Sequence, residues 1–81
     1  MKIYDYDGKN NICGQRMKDA RLKKRYTQAQ LAMKMQVAGI TIERDSISRI
    51  EIGTRFVTDY ELRALANILG VTVDYLLSDG K

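Results

Sequence analysis

Apolar residues recur at helical spacing along most of the chain. Two segments place four residues each on one helical face: Gln28, Leu31, Ala32 and Met35, then Leu62, Leu65, Ala66 and Leu69. The chain contains no proline, and it is rich in residues that favour helices, such as alanine, leucine, lysine and arginine. The pattern predicts an all-α domain. Its expected core is formed by Leu31, Met35, Ile47, Ile50, Leu62, Leu65, Leu69 and Leu76.

Capping residues and glycines predict the bounds of five helices. Thr27-Gln28-Ala29-Gln30 and Thr58-Asp59-Tyr60-Glu61 are capping boxes, which predict the starts of helices 2 and 4. Gly39, Gly53 and Gly70 suit the left-handed position that closes a helix. We expect helix 1 to span residues 12–25 after a cap at Asn11, and helix 3 to span residues 46–52 after a cap at Asp45. Helix 5 is expected to open at Thr72.

The 81 residues are enough for a single domain. Residues 1–10 lack a helical period and predict a flexible N-terminal arm, residues 11–78 carry the helical patterns, and residues 79–81 form a short tail. No apolar run approaches the roughly 18 residues that a membrane span needs. The first ten residues are too polar for a signal peptide. We therefore expect a soluble, cytoplasmic protein that does not contact a membrane.

The formal net charge of +4 is unevenly distributed, since residues 16–55 hold ten basic and four acidic side chains. Lysine and arginine can replace the counterions condensed on nucleic acid, although a solvated helix face explains the same charge equally well. The chain has no histidine and one cysteine, which excludes the usual zinc sites and Ser-His-Asp triads. We expect no enzymatic activity, no cofactor and no metal.

Helix 3 combines an apolar side with a polar side. Ile47, Ile50 and Glu51 point one way, whereas Asp45, Ser48, Arg49 and Ile52 point the other. A helix this short is not stable alone, so the apolar side must pack on the domain. The outward side then resembles a recognition helix that reads bases in the major groove. The alternative is an ordinary connecting helix in a five-helix bundle.

Four segments of the chain follow one another in an order that is typical of one family. They are Arg16-Met17-Lys18-Asp19-Ala20-Arg21, Thr27-Gln28-Ala29-Gln30-Leu31-Ala32, Ser46-Ile47-Ser48-Arg49-Ile50-Glu51 and Leu69-Gly70-Val71-Thr72-Val73-Asp74-Tyr75-Leu76-Leu77. In these segments the chain resembles the Cro/repressor-type (Xre-like) helix-turn-helix family of phage and bacterial transcription regulators. The resemblance implies a five-helix, phage-repressor-like DNA-binding domain. Helix 2 would lie across the backbone of double-stranded DNA, and helix 3 would enter the major groove.

The resemblance also implies roles for individual residues. Gln28 would contact phosphate and brace the recognition helix, and Arg21 would form a partly buried salt bridge with Glu51. The base-reading positions fall on Arg44, Asp45, Ser48 and Arg49, and the phosphate-contacting loop falls on Gly53, Thr54 and Arg55. Thr27 and Ser46 complete the predicted DNA-binding set.

The chain departs from the family pattern between helices 2 and 3, where the link is about five residues longer than usual. The extra residues fall within 37–45. Either helix 2 runs one turn further, to Ala38, or the turn bulges outward. Asp45 could accept a hydrogen bond from a cytosine amino group or cap helix 3, and we favour the cap.

Two functions from different classes are consistent with these features. The first is a sequence-specific DNA-binding regulator, acting as a repressor that binds a pseudo-palindromic operator as a homodimer, with a protein regulator as a further partner. The second is a protein-interaction module, such as an antitoxin or anti-repressor, whose main partner is another protein. DNA binding should weaken steeply with salt, whereas a mostly apolar protein interface should not.

Overall fold

The computed structural model describes residues 8–78 of the chain. Five helices follow one another in this range: α1 (Gly14–Lys23), α2 (Gln28–Val37), α3 (Arg44–Ile52), α4 (Asp59–Leu69) and α5 (Val73–Leu77). The predicted all-α, five-helix class is confirmed. Most of the predicted arm, residues 1–7, and the tail, residues 79–81, lie outside the described residues. No helix within 8–78 has the length and apolar character needed to cross a membrane.

Both predicted capping boxes are present. The Thr27 hydroxyl accepts from the Gln30 amide at 3.0 Å, and the Gln30 side chain accepts from the Thr27 amide at 2.8 Å. Thr58 and Glu61 form the same reciprocal pair at the start of α4, at 3.3 and 3.0 Å. Because each box satisfies two amides that the first helical turn leaves free, α2 and α4 begin at the predicted positions.

Helix 3 ends at Ile52 as predicted, but its predicted start and both predicted bounds of helix 1 are each wrong by two residues. α1 starts at Gly14, whose amide donates to the Asn11 side chain at 2.9 Å, and it ends at Lys23, since Arg25 adopts a left-handed φ of 60°. α3 starts two residues earlier than predicted, at Arg44, with Glu43 as its N-cap residue. Asp45 therefore lies in the first turn and is not the cap. Its carboxylate is still favourable there, close to the positive end of the helix dipole.

The interior is a single apolar cluster to which all five helices contribute. Leu31, Met35, Ile47, Ile50, Leu65, Leu69 and Leu76 are buried as predicted, and Met17, Cys13 and Ile42 join them. Leu62 is the exception in the predicted core, because it is only half-buried and packs at the edge. α3 packs against both α1 and α2, so the core fixes it on two sides.

The longer link between α2 and α3 spans residues 38–43. α2 continues to Val37, with Ala38 as its C-cap residue, so the first of the two alternatives describes the helix closely. Gly39, at φ 90°, then closes the helix, and the Ile40 amide donates to the Met35 carbonyl at 2.9 Å. Ile42 is buried in the core, and its carbonyl accepts from the Gln36 side chain at 3.0 Å. The link is thus anchored to the domain just before α3 begins.

Candidate nucleic-acid interface

The recognition-helix candidate α3 has one buried side and one exposed side. Ile47 and Ile50 are fully buried, whereas Arg49 and Ile52 are exposed and Ser48 is half-buried between them. The helical spacing placed Ile52 on the outward side of helix 3, but the sequence indicated no function for it. It is 63% exposed beside Arg49, and burying that much apolar surface is favourable when a partner covers it.

A buried ion pair attaches α3 to α1. Arg21 donates from Nε to Glu51 Oε2 at 2.6 Å and from Nη2 to Glu51 Oε1 at 3.1 Å. The third donor of this guanidinium, Nη1, bonds the Tyr26 carbonyl at 2.9 Å. Both charged side chains are less than a tenth exposed. The pairing that the family resemblance implied is therefore present.

Gln28 links the same carboxylate to α2. Its Nε2 donates to Glu51 Oε1 at 3.0 Å, so Glu51 is bonded to α1 and α2 at once. This bond is the bracing contact expected of Gln28. The residue is half-buried, and it remains the first residue of α2, where free backbone amides favour an anion.

The starts of α2 and α3 lie side by side. Thr27, Gln28 and Arg44 line one shallow cleft, together with Arg25. Arg44 Nη2 is 3.7 Å from Asp45 Oδ1, but these side chains are 63% and 70% exposed. An exposed pair of this kind contributes little and leaves both groups free to move. Ser46 follows on the same helix and is half-buried.

The loop after α3 begins with a tight closure. Gly53 has φ 100°, and the amides of Gly53 and Thr54 both donate to the Arg49 carbonyl at 2.9 Å. The Thr54 hydroxyl contacts the same carbonyl at 3.4 Å. This closure sets the position of Thr54, which is exposed.

Arg55 is less available than the sequence suggested. Its Nη1 and Nη2 each bond one oxygen of Glu61 at 3.0 Å, and Nη1 also donates to the Phe56 carbonyl at 3.0 Å. The hydrogen bond with Glu61 raises the pKa of Arg55 above its ordinary value. Its charge is therefore balanced within the fold, and the guanidinium braces the loop against α4.

Asn11 ties the same loop to the start of α1. Its Nδ2 donates to the carbonyls of Ile50 at 3.1 Å and Arg55 at 2.7 Å, while its Oδ1 accepts from the Gly14 amide. A Cβ on Gly14 would overlap the carbonyl oxygen of Ile50, so α1 approaches the end of α3 closely. The sequence indicated only a helix cap at Asn11, since its other partners are distant along the chain.

The nine predicted DNA-binding residues lie at three neighbouring places, and none of them is buried. They are the start of α2 (Thr27, Gln28), the length of α3 (Arg44, Asp45, Ser46, Ser48, Arg49) and the loop that follows (Thr54, Arg55). Within residues 8–78, no group of three His, Cys, Asp or Glu side chains could hold a metal ion.

Comparisons with known proteins identify a family for most of the chain. A family model described as helix-turn-helix matches residues 17–76, about three quarters of the chain. The match runs from the middle of α1 into α5 and includes all three places named above. No curated protein matches the chain.

Proposed function

The chain belongs to the Cro/C1-type (Xre-like) helix-turn-helix family of DNA-binding transcription regulators, and we propose that it is a repressor that binds a pseudo-palindromic operator as a homodimer. The proposal rests mainly on how α3 is held: its inner side is bonded to both α1 and α2, and its outer side is exposed. Glu51 bonds Arg21 and Gln28 on the inner side, while Arg49 is exposed on the outer side. A helix held in this way presents its outer side chains to base edges from a backbone that does not have to be ordered at the moment of binding.

We assign base reading to the outer side of α3. The planar guanidinium of Arg49 matches the two major-groove acceptors of guanine. Ser48 can donate to or accept from a neighbouring base, and Ile52 offers apolar contact to a thymine methyl group. Arg44, Asp45 and Ser46 lie in the first turn of the same helix. A carboxylate is repelled by phosphate, so Asp45 fits the helix start or a cytosine amino group better than the backbone.

We assign positioning on the DNA backbone to the two flanking elements. Gln28 and Thr27 stand where α2 exposes free amides, which favour a phosphate. Arg44 adds a positive charge to the same cleft. Thr54 lies in the second flanking element, the loop that follows α3. Phosphate contacts of this kind fix the orientation of the domain but carry no sequence information.

The small size of the reading element supports the proposed homodimer. α3 has nine residues, so a single copy can contact only a few base pairs. Two copies related by a two-fold axis would place two such helices in successive major grooves about 34 Å apart, which requires a pseudo-palindromic site.

Selection of bound fragments from random-sequence DNA tests this proposal. The expected result is an inverted repeat with half-sites about one helical turn apart, bound by two copies of the chain. Affinity for the selected site should fall steeply with salt. Recovery of no enriched sequence, or binding that does not respond to salt, would contradict the proposal.

A protein-interaction module, such as an antitoxin or anti-repressor, remains the second candidate because of one surface feature. Met33 and Val37 lie four residues apart on the outer face of α2, and they are 65% and 85% exposed. Exposed apolar residues at helical spacing suit a protein partner, including a protein regulator of the DNA-binding function. Substituting both with serine should leave DNA affinity unchanged and abolish such an interaction.

A further inference from the structure

The segment before α1 is fastened to the loop that leaves α3. The Asn10 amide donates to the Gly53 carbonyl at 2.7 Å, and the Asn10 side chain donates to the Thr54 carbonyl at 3.1 Å. Asn10 falls within the predicted flexible arm, yet two hydrogen bonds hold it to the domain. The residue before it, Lys9, is thereby brought to the same loop.

Lys9 lies directly against Gly53. A Cβ placed on Gly53 would be 2.9 Å from Cδ of Lys9, 3.0 Å from its Cγ and 3.3 Å from its Cβ. The aliphatic part of the side chain therefore covers the glycine, and the ammonium group continues beyond it into solvent, as is usual for lysine. Lys9 is exposed, and within residues 8–78 it forms no ion pair.

The loop after α3 has a basic residue of its own, Arg55, but Glu61 balances that charge with two hydrogen bonds at 3.0 Å. Extending Arg55 to a phosphate would leave the buried Glu61 carboxylate without its partner, which is costly. Lys9 carries no such cost. Of the two cations at this loop, Lys9 is the one that has no carboxylate partner among residues 8–78.

We propose that Lys9 supplies the phosphate contact at the exit of α3, and that Arg55 braces the loop. The proposal rests on the DNA-binding function proposed above. The positive charge at the loop after α3 then comes from Lys9, which precedes α1 and is held at this loop by the hydrogen bonds of Asn10.

The test measures how the dissociation constant for a fluorescein-labelled random-sequence duplex depends on potassium chloride concentration. Each lost phosphate contact lowers the log–log slope by about 0.9 per bound copy. Lys9→Gln should therefore lower the slope by about 0.9 per copy, whereas Lys9→Arg should retain the wild-type slope. Arg55→Gln should leave the slope unchanged at a temperature where circular dichroism shows the variant to be folded.

Arg63→Gln is the matched control. Arg63 is exposed on α4, a helix whose main packing partners are α1, α2 and α5, not α3, so its removal should not change the slope. If Lys9→Gln keeps the wild-type slope while Arg55→Gln lowers it, the assignment is wrong. If the wild-type protein itself shows no salt-dependent binding, the proposed DNA-binding function fails instead.

Discussion

Arg21 and Glu51 form two parallel hydrogen bonds, of 2.6 and 3.1 Å, between α1 and α3. Gln28 adds a third bond to the same carboxylate from α2. Within residues 8–78, no buried side-chain nitrogen or oxygen lacks a hydrogen-bond partner. The domain thus has a fully satisfied polar network directly behind the surface that we assign to DNA.

Removing one member of this pair should cost more stability than removing both. Arg21→Met leaves a buried carboxylate, and Glu51→Leu leaves a buried guanidinium, so each should lower the free energy of unfolding by about 3–5 kcal/mol. The double variant should lose less than either single variant, because no charge remains unpaired. Urea unfolding of the three variants measures the coupling energy. Strictly additive losses would show that the two side chains do not interact.

The Glu61 carboxylate should make the free energy of unfolding depend on pH in the acidic range. Burial raises the pKa of Glu61, but hydrogen bonds from Arg55 and Thr58 outweigh burial and hold the pKa below its ordinary value of 4.5. A lowered folded-state pKa gives stability that is present above the unfolded-state pKa and is lost as pH falls through the folded-state value.

Glu61→Gln should therefore be less stable than wild type at about pH 7, by about 1–3 kcal/mol, and the difference should shrink below about pH 4.5. Urea unfolding at several pH values measures this difference. Arg55→Gln is the paired variant, and its deficit should shrink over the same acidic range. A Glu61→Gln deficit that stays constant from neutral to acidic pH would contradict the ion pair.

Cys13 should be unreactive while the protein is folded. The residue is 2% exposed, and burial raises the pKa of its thiol to about 11. Because the thiolate is the reacting form, alkylation by iodoacetamide at about pH 8 should proceed only through unfolding. The modification rate should rise sharply across the urea transition. Rapid alkylation in the absence of denaturant would mean that the start of α1 opens locally.

Local sequence patterns were sufficient to predict much of the fold. The two capping boxes predicted the starts of α2 and α4, because both partners lie within one helical turn. Periodicity predicted which residues of α3 are buried, since Ile47 and Ile50 recur at helical spacing. The Arg21–Glu51 pair came from the family resemblance, because spacing alone does not show which charges meet.

Contacts between distant parts of the chain were not predictable in the same way. Asn11 bonds carbonyls 39 and 44 residues away, and nothing near it in the sequence identifies them.

The start of α3 was misplaced because Asp45 is a favourable cap residue by type, whereas the structure continues the helix through it. The pairing of Arg55 with Glu61 was also not predicted, because it depends on how the loop meets α4.

We propose that Arg49 reads sequence from a helix whose position the rest of the domain fixes. The most direct measurement is the affinity of wild type, Arg49→Ala and Arg44→Ala for the selected operator and for each single base-pair change in one half-site. Arg49→Ala should lose about 1–3 kcal/mol on the operator and become indifferent to one base pair per half-site. Arg44→Ala should weaken operator and altered sites to a similar extent. If Arg49→Ala keeps the wild-type preference at every base pair while Arg44→Ala loses it, α3 docks differently and the claim is wrong.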